Sequence, residues 1–177
     1  RSGQIIGDYD ENQDHLYRCE TLFVDDQLNV WTGEWNTGLK KLNLSDGSWQ
    51  IFSPAGLPLL NINNIEPKSD HELWIGTMGQ GLGVFDTKNH SFKFYKHREE
   101  DPKSISSNWL HGNLLTNRES LWALSETGIN ISDPEYRSFI REEAPFPLSS
   151  ITGFLYDGDE EKLYVTGAGC RGLYFRD

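Results

Sequence analysis

Acidic clusters are the first candidates for chemistry in this sequence, because closely spaced carboxylates can bind calcium or cleave glycosides. Residues 8–14 alternate oxygen-bearing side chains, as a calcium-binding loop does at its start. Such a loop needs glycine at its sixth position and glutamate at its twelfth, where this chain has Gln13 and Cys19. Residues 157–161 are also acidic and are typical of a hairpin turn. We interpret both clusters as solvated loops and predict no metal site.

The sequence has no recognisable enzyme motif. It contains no Gly-x-Ser-x-Gly, His-Glu-x-x-His or phosphate-binding glycine loop. The glycines of residues 79–83 lie in a strand–turn–strand context, without the helix N-terminus that holds a phosphate. The five histidines are dispersed and no pair has metal-ligand spacing. We therefore predict a protein without catalytic residues, metal or cofactor.

Aromatic and planar side chains in predicted turns are the better candidates for binding. Aromatic faces stack on sugar rings, and planar donors bind hydroxyls or carboxylates. The residues concerned are Trp35, Met78, Trp109, His111 and Arg171. Three of them have a plainer interpretation: Trp35 folds onto its own strands, Trp109 packs internally, and Arg171 is a solvated turn residue. The same side chains suit a protein interface as well as a sugar.

Composition excludes several classes of function. The 177 residues carry a formal net charge of −11, which disfavours nucleic acid and anionic membrane surfaces as partners. Aromatic residues make up 12% of the chain, too many for a disordered acidic segment. No run of 18 apolar residues is present, so we expect no membrane insertion in this segment. The chain opens without methionine or an apolar leader, which we take as the start of a mature or excised segment.

Internal repeats organise the chain. An aromatic residue preceded by an aliphatic one recurs at intervals of 43, 48 and 42 residues, and a glycine followed by an aliphatic residue comes six to eight positions later. We call the recurring aromatics the anchor residues: Trp31, Trp74, Trp122 and Tyr164. Repeats of this length are typical of β-propeller blades with four strands each.

The second repeat shows the four strands most clearly. They are predicted at 62–65, 72–77, 81–86 and 91–96, separated by segments rich in turn-forming residues. The sequence thus predicts an all-β propeller unit of four antiparallel blades, either a small closed propeller or a segment of a larger one. The predicted divisions are an outer strand with its linker at 1–15, blades at 16–57, 58–105 and 106–147, and an incomplete blade at 148–177.

The two ends of the chain leave alternatives open. A short apolar stretch at 4–9 can supply the missing outer strand of the last blade, which would close the ring. Otherwise it completes a blade of a longer propeller. Cys19 and Cys170 are either two free thiols or one disulfide that ties the ends of an exported domain, and spacing does not decide between these.

The repeats resemble those of the two-component regulator propeller family. The resemblance is carried by 73–77, by 81–86 and by the linker 100–108, which is similar to that family's connection between blades. The third repeat departs from the pattern at 123–125, and the fourth has Tyr164 in place of tryptophan. The family's propellers commonly form the periplasmic sensors of hybrid two-component systems in polysaccharide-degrading bacteria.

The resemblance implies a non-catalytic sensor domain, or a part of one, in the periplasm or otherwise outside the cytoplasm. Its expected partner is a glycan-derived oligosaccharide, with dimerisation possible through the parent protein. The alternative is a scaffold propeller that binds another protein in an envelope or secretion assembly. In either case the equivalent turns of successive blades share one face, so Trp35, Met78 and Arg171, with Trp109 and His111, are the predicted contact residues.

Overall fold

The computed structural model describes residues 19–58, 60–116, 120–142, 151–157 and 162–167. These residues form strands and turns, with no helix among them. Three four-stranded antiparallel sheets follow one another along the chain, and a two-stranded hairpin comes after them. This is the predicted propeller architecture. The unit boundaries outside the strands remain predictions.

The strands follow the repeat pattern. Blade 1 consists of β1 (Cys19–Val24), β2 (Val30–Glu34), β3 (Gly38–Leu42) and β4 (Trp49–Phe52). Blade 2 consists of β5 (Ile62–Ser69), β6 (Glu72–Thr77), β7 (Leu82–Asp86) and β8 (Ser91–Tyr95). Blade 3 consists of β9 (Leu110–Thr116), β10 (Leu121–Ser125), β11 (Ile129–Ser132) and β12 (Phe139–Glu142). The fourth unit contributes β13 (Ile151–Asp157) and β14 (Lys162–Gly167).

The first strand of each blade is the innermost one. β5 lies between β1 and β9, and β13 lies against β9, so the first strands line a common axis. In blade 2 this strand runs through Pro67 to Ser69, four residues beyond the predicted end. Proline is tolerated there because the first strand is an edge of its sheet and pairs on one side only.

Apolar side chains fill the spaces between blades. The first core combines one face of blade 1, including Trp31, Leu39 and Phe52, with the facing side of blade 2, including Ile75 and Phe85. The Trp31 and Phe85 rings lie 5.7 Å apart, edge to face. The interdigitation is that of a protein interior, so each blade depends on its neighbour.

The second core repeats this arrangement one blade further on. It sets Trp74 and Leu82 of blade 2 against Leu114, Leu121 and Phe139 of blade 3. Each anchor tryptophan lies near the start of the second strand of its blade and directly follows an aliphatic residue. Relative exposures of 1% at Trp31, 0% at Trp74 and 8% at Trp122 agree with the prediction that the anchors lie where blades meet.

Candidate functional site

One face of the blades gathers the predicted contact residues. The first residue of each inner strand pairs with the last residues of the second strand, as Cys19 does with Glu34, Ile62 with Thr77 and Leu110 with Ser125. The starts of the inner strands and the turns that join second to third strands therefore lie at the same end of each blade. We call this end the entry face and the opposite end the exit face.

Four of the five predicted residues are at the entry face. Trp35 lies in the turn between β2 and β3 and is half-buried, and Met78 has the same place and a similar burial after β6. Trp109 immediately precedes β9 and is 44% exposed, whereas His111, the second residue of β9, is half-buried. Arg171 lies outside the described residues, so its place in this site stays a prediction.

Trp109 is fixed by its backbone while its indole is exposed. Its N–H donates to Ser107 Oγ at 3.0 Å, and its carbonyl oxygen accepts the N–H of Glu126 at 3.1 Å. Ser107 Oγ in turn donates to Glu126 Oε1 at 2.8 Å. On its other side Trp109 forms an isolated antiparallel bridge with Met78. Hydrogen bonds on both sides therefore hold the backbone that carries the indole, so little backbone freedom is lost on binding.

The indole lies beside Gly79. A Cβ at position 79 would lie 3.8 Å from the nearest ring atom of Trp109, which is an ordinary van der Waals contact. Gly79 has φ +111°, a conformation that a residue with a side chain rarely adopts. The turn after β6 therefore lies next to an aromatic ring of the following blade, and its backbone conformation requires glycine at position 79.

Hydrogen bonds at the entry face connect neighbouring blades. The N–H of Asn36 in blade 1 donates to Asn61 Oδ1, before β5, at 2.7 Å. The N–H groups of Gly79 and Gly81 in blade 2 both donate to the carbonyl oxygen of Asn108, before β9, at 2.9 Å. In both places a turn of one blade donates a hydrogen bond to an asparagine that lies one or two residues before the first strand of the next blade. The entry face is thus one connected surface.

A β-bulge near the start of each inner strand shapes the same face. The pairing register of β1, β5, β9 and β13 slips at this point, which leaves extra residues at Glu20, Asn63, 111–113 and Thr152. Bulges re-aim side chains and are common next to functional sites. Sequence reasoning missed them, although a polar residue stands second in each of the four apolar segments and was the available signal.

Asn63 shows what the bulge does. Its Nδ2 donates to the carbonyl oxygen of Leu110, across the axis-side boundary between blades 2 and 3, at 2.6 Å. Its Oδ1 and that of Asn64 are buried, without a hydrogen-bond partner in the described part of the chain. Buried amide oxygens normally accept a hydrogen bond, so this position has unused acceptor capacity.

Other groups at or near the site are polar or titratable. Lys96 Nζ donates to Gln80 Oε1 at 3.0 Å, and Asn108 Oδ1 accepts the N–H of His97 at 2.8 Å. Burial, and then the carboxylate of Glu34, raise the pKa of Cys19. Burial also raises the pKa of Glu66, farther along β5. Within the described part of the chain, the Cys19 thiol has no hydrogen bond to a basic side chain.

The exit face offers a different kind of concavity. A cleft of about 490 Å³ opens there between blades 1 and 2. Its lining includes charged groups of both signs, among them Asp25, Lys41 and Glu72. The Asp25 carboxylate already accepts hydrogen bonds, from Trp31 Nε1 at 2.9 Å and from the Asn29 side-chain amide at 2.8 Å. Because this lining group stabilises the turn between β1 and β2, we do not place the site in the cleft.

Two kinds of feature are absent from the described residues. No group of three or more His, Cys, Asp or Glu side chains there is arranged to hold a metal ion. Nor does any helix in that part of the chain have the length and apolar character needed to cross a membrane.

Comparisons with known proteins support the fold. No family model matches the sequence, and no curated protein matches it either. Among solved structures, the extracellular domain of the hybrid two-component system BT4673 from B. thetaiotaomicron superposes with a TM-score of 0.64 at 15% identity. That match covers 100% of this chain and 26% of the other, so the chain spans about a quarter of the sensor domain.

Other proteins with a similar fold have other roles. A catalytically inactive virginiamycin B lyase from Staphylococcus aureus, solved with quinupristin, has a TM-score of 0.69 at 15% identity, with coverage of 93% and 53%. The computationally designed protein Ika4 gives 0.65 at 11% identity and is matched over 98% of its length by 99% of this chain. The chain therefore has a propeller fold that it shares with sensor domains and with an enzyme, and the fold alone does not choose between these functions.

Proposed function

We propose that this chain is a ligand-sensing propeller, or a part of one, from an extracytoplasmic two-component sensor, and that its entry face binds an oligosaccharide released by glycan breakdown. The exposed, backbone-fixed indole of Trp109 is the observation that carries this proposal. The likeness to extracellular sensor domains and the repeat motifs of the sequence support the sensor role.

The chemistry around Trp109 suits a sugar. Pyranose rings present an apolar face to an aromatic ring and hydroxyl groups at their edge. Trp109 supplies the aromatic surface, and the neighbouring turns are rich in amide groups, including Gln80 and Asn108. The imidazole of His111 is a further donor or acceptor beside them. A neutral or weakly charged oligosaccharide is also compatible with a chain of net charge −11.

Binding at this face has a route to a signal. The turn of each blade is hydrogen-bonded to the start of the next, so a ligand that spans two blades contacts groups on both sides of a blade boundary. A ligand shifts a conformational equilibrium only by its difference in affinity for the two states. We infer that the relative position of neighbouring blades is the quantity that the ligand biases.

Two tryptophans of equal exposure provide the test. Trp109 is 44% exposed at the entry face and Trp49 is 43% exposed on β4, away from that face. The unmodified chain is titrated calorimetrically with a panel of neutral and acidic oligosaccharides. For a ligand that binds, Trp109→Ala is expected to raise Kd roughly 5- to 150-fold, the range for a hot-spot contact, whereas Trp49→Ala leaves it unchanged.

The same panel tests the absence of catalysis. Each mixture is examined for cleavage products after prolonged incubation, and no turnover is expected. Product formation would contradict the binding-only role. No binding across the panel, or an equal loss of affinity in both tryptophan variants, would contradict the proposed site.

A further inference from the structure

A cleft with a basic lining lies on the outer rim between blades 2 and 3. Its volume is about 330 Å³, and it is bounded by β8, by the linker that leads to β9 and by the turn between β11 and β12. We call it the rim cleft. Its basic lining residues are Lys93, Lys96, Arg98, Lys103 and Arg137, and its acidic ones are Asp101 and Glu135. The whole chain has 16 basic and 27 acidic residues, so the charge of this cleft is opposite to that of the molecule.

The two acidic residues of the rim cleft are paired with its two arginines. Arg98 Nη2 lies 3.8 Å from Asp101 Oδ2, and Arg137 Nη2 lies 2.5 Å from Glu135 Oε2. These two pairs balance each other in charge. The net charge of the lining is therefore that of the three lysines.

The lysines of the rim cleft have no carboxylate partner in the described part of the chain. Lys93 Nζ donates to the hydroxyl oxygen of Tyr95 at 3.2 Å, and Lys96 Nζ donates to Gln80 Oε1 at 3.0 Å, so both ammonium groups bond to neutral acceptors. Lys103 is exposed, and only its backbone is hydrogen-bonded. Like charges around one cleft repel each other, and an anion between them removes this cost.

The walls of the rim cleft are fixed by the fold. β8 is paired with β7 along its whole length. On the linker side, Arg141 of β12 donates from Nε to the carbonyl oxygen of Ser104 and from Nη2 to that of Asp101, each at 2.7 Å. The carbonyl oxygen of Lys103 accepts the N–H of Phe139 at 2.8 Å. A linker held at these carbonyl groups loses little backbone freedom when a ligand binds.

The preceding blade boundary shows that the fold does not require the lysines. The pairing of third and fourth strands makes Lys93 equivalent to Gln50, and by the same register Lys96 is equivalent to Ser53. The linker between blades 1 and 2, residues 53–61, contains no basic residue. The two boundaries share their strand order, so the lysines belong to the second boundary in particular rather than to the architecture.

We propose that the rim cleft binds a small anionic ligand with two or more oxyanion groups, such as carboxylates, sulfates or phosphates. Ammonium groups form charge-assisted hydrogen bonds with all three. The volume lies at the lower end of the range for small-molecule sites. The negative charge of the rest of the chain does not oppose binding at physiological salt, because exposed charges more than about 8 Å away are largely screened. This inference goes beyond the entry-face site and does not depend on the ligand proposed there.

Calorimetric titration of the unmodified chain tests the proposal. The probes are trigalacturonate, a disulfated disaccharide and a sugar bisphosphate, each beside its uncharged parent sugar. At least one charged probe is expected to bind about 10-fold more tightly than its parent, and to weaken as salt is raised. The probe with the lowest Kd shows which oxyanion the cleft prefers. Charged probes that bind no better than their parents, or do not bind, would overturn the proposal.

Paired lysine variants locate the bound anion. Lys93→Gln combined with Lys103→Gln removes two exposed charges from the rim cleft and is expected to raise Kd about 5- to 30-fold. Lys41→Gln combined with Lys88→Gln removes the same charge from the exit-face cleft and should leave Kd nearly unchanged. Equal losses in the two double variants would reveal a general charge effect and overturn the site. A loss in Trp109→Ala without one in the rim variant would place the anion at the entry face and would overturn it as well.

An acidic peptide separates a small ligand from a protein partner. Hexaglutamate carries the same kind of charge on a flexible backbone, and we expect it to bind more weakly than the best small probe. If it bound more tightly than every small probe and lost affinity in the rim variant, the cleft would be a docking surface for an acidic protein segment, and the small-ligand proposal would be wrong.

Discussion

The two faces of the blades are stabilised in different ways. At the exit face three turns are each closed by an aspartate: Asp25 accepts the N–H groups of Gln27 and Asn29, and Asp86 accepts those of Lys88 and Asn89. Asp133 does the same in blade 3. At the entry face the turns also bond to the following blade. The three aspartates close their turns locally, whereas the entry turns add hydrogen bonds between blades; at the exit side neighbouring blades meet through ring contacts, such as that of Lys68 Nζ with the Tyr136 ring at 5.5 Å.

This difference bears on where a signal can originate. A ligand at an exit turn such as that of Asp25 would contact groups whose hydrogen bonds are made within the turn. A ligand at Trp109 contacts a residue held by Met78 of one blade and Glu126 of the next. Coupling of two elements through a shared contact is what a two-state response requires.

The largest effect is expected from the core that supports both faces. Trp74 is fully buried, and its ring lies 5.0 Å from that of Tyr136 and 5.9 Å from that of Tyr95. Trp74→Ala is expected to lower the free energy of unfolding by roughly 3–5 kcal/mol, the range for deleting a large buried aromatic. The measurement is chemical denaturation together with hydrogen exchange at both faces. Loss of protection at one face only would show that the faces do not share this support.

The sequence predicted the frame of the molecule better than the site. Each blade must bury one face against its neighbour, which produces the regular anchor spacing and the alternation of apolar and polar residues along the strands. Both patterns can be recognised in the sequence alone. Trp31 and Trp74 were placed correctly for this reason. The bond from Asn36 to Asn61 joins residues 25 positions apart and depends on how two blades meet, which no local pattern encodes.

Trp109 illustrates the limit most clearly. Its neighbours in sequence favoured internal packing, whereas the side chain is 44% exposed. The indole lies beside Gly79, 30 positions earlier, and no local pattern relates these two residues. The bulges escaped prediction for a related reason. An extra residue in β5 becomes evident only when Ile62 and Asn64 are matched to Thr77 and Gly76 on the next strand.

A pair of glycines compares the faces directly. Gly81 at the entry face has φ +81°, and a Cβ there would collide with the carbonyl oxygen of Tyr95 and lie 3.1 Å from Ile105. Gly47 at the exit face has φ +75°, with open space around it. Gly81→Ala is expected to cost roughly 2–4 kcal/mol from backbone strain plus overpacking, and Gly47→Ala only about 1 kcal/mol from backbone strain. Equal costs, measured by chemical denaturation, would mean that the entry turns are no more constrained than the exit turns.

Trp35 tests how far the binding surface extends. It occupies in blade 1 the place that Met78 occupies in blade 2, and the turn that contains it bonds to Asn61 of the following blade. Trp35→Ala is expected to weaken binding of an oligosaccharide long enough to reach both blades by about 1–3 kcal/mol, while the thermal midpoint is nearly unchanged. A disaccharide that binds beside Trp109 serves as the control and is expected to lose less. A large fall in the midpoint would mean that Trp35 supports its own blade rather than the ligand.

The smallest effect is the response of an exit turn to acid. Hydrogen bonds from the side chain and backbone of Ser138 and from the N–H groups of Arg137 and Glu135 lower the pKa of Asp133 from 3.8 to about 2. A carboxylate whose pKa is lower in the folded state stabilises it above the unfolded pKa, and this contribution is lost as the pH falls through the folded value. The thermal midpoint of the native chain should therefore exceed that of Asp133→Asn at pH 6, and the difference should shrink between pH 4 and pH 2. Amide NMR signals of Arg137 and Ser138 should shift over this range, whereas those of Gly79 and Gly81, which bond to a backbone carbonyl, should not. If the entry-face amides moved with the same midpoint, the titration of Asp133 would be coupled through the blade to the opposite face, and the local character of this hydrogen-bond network would be wrong.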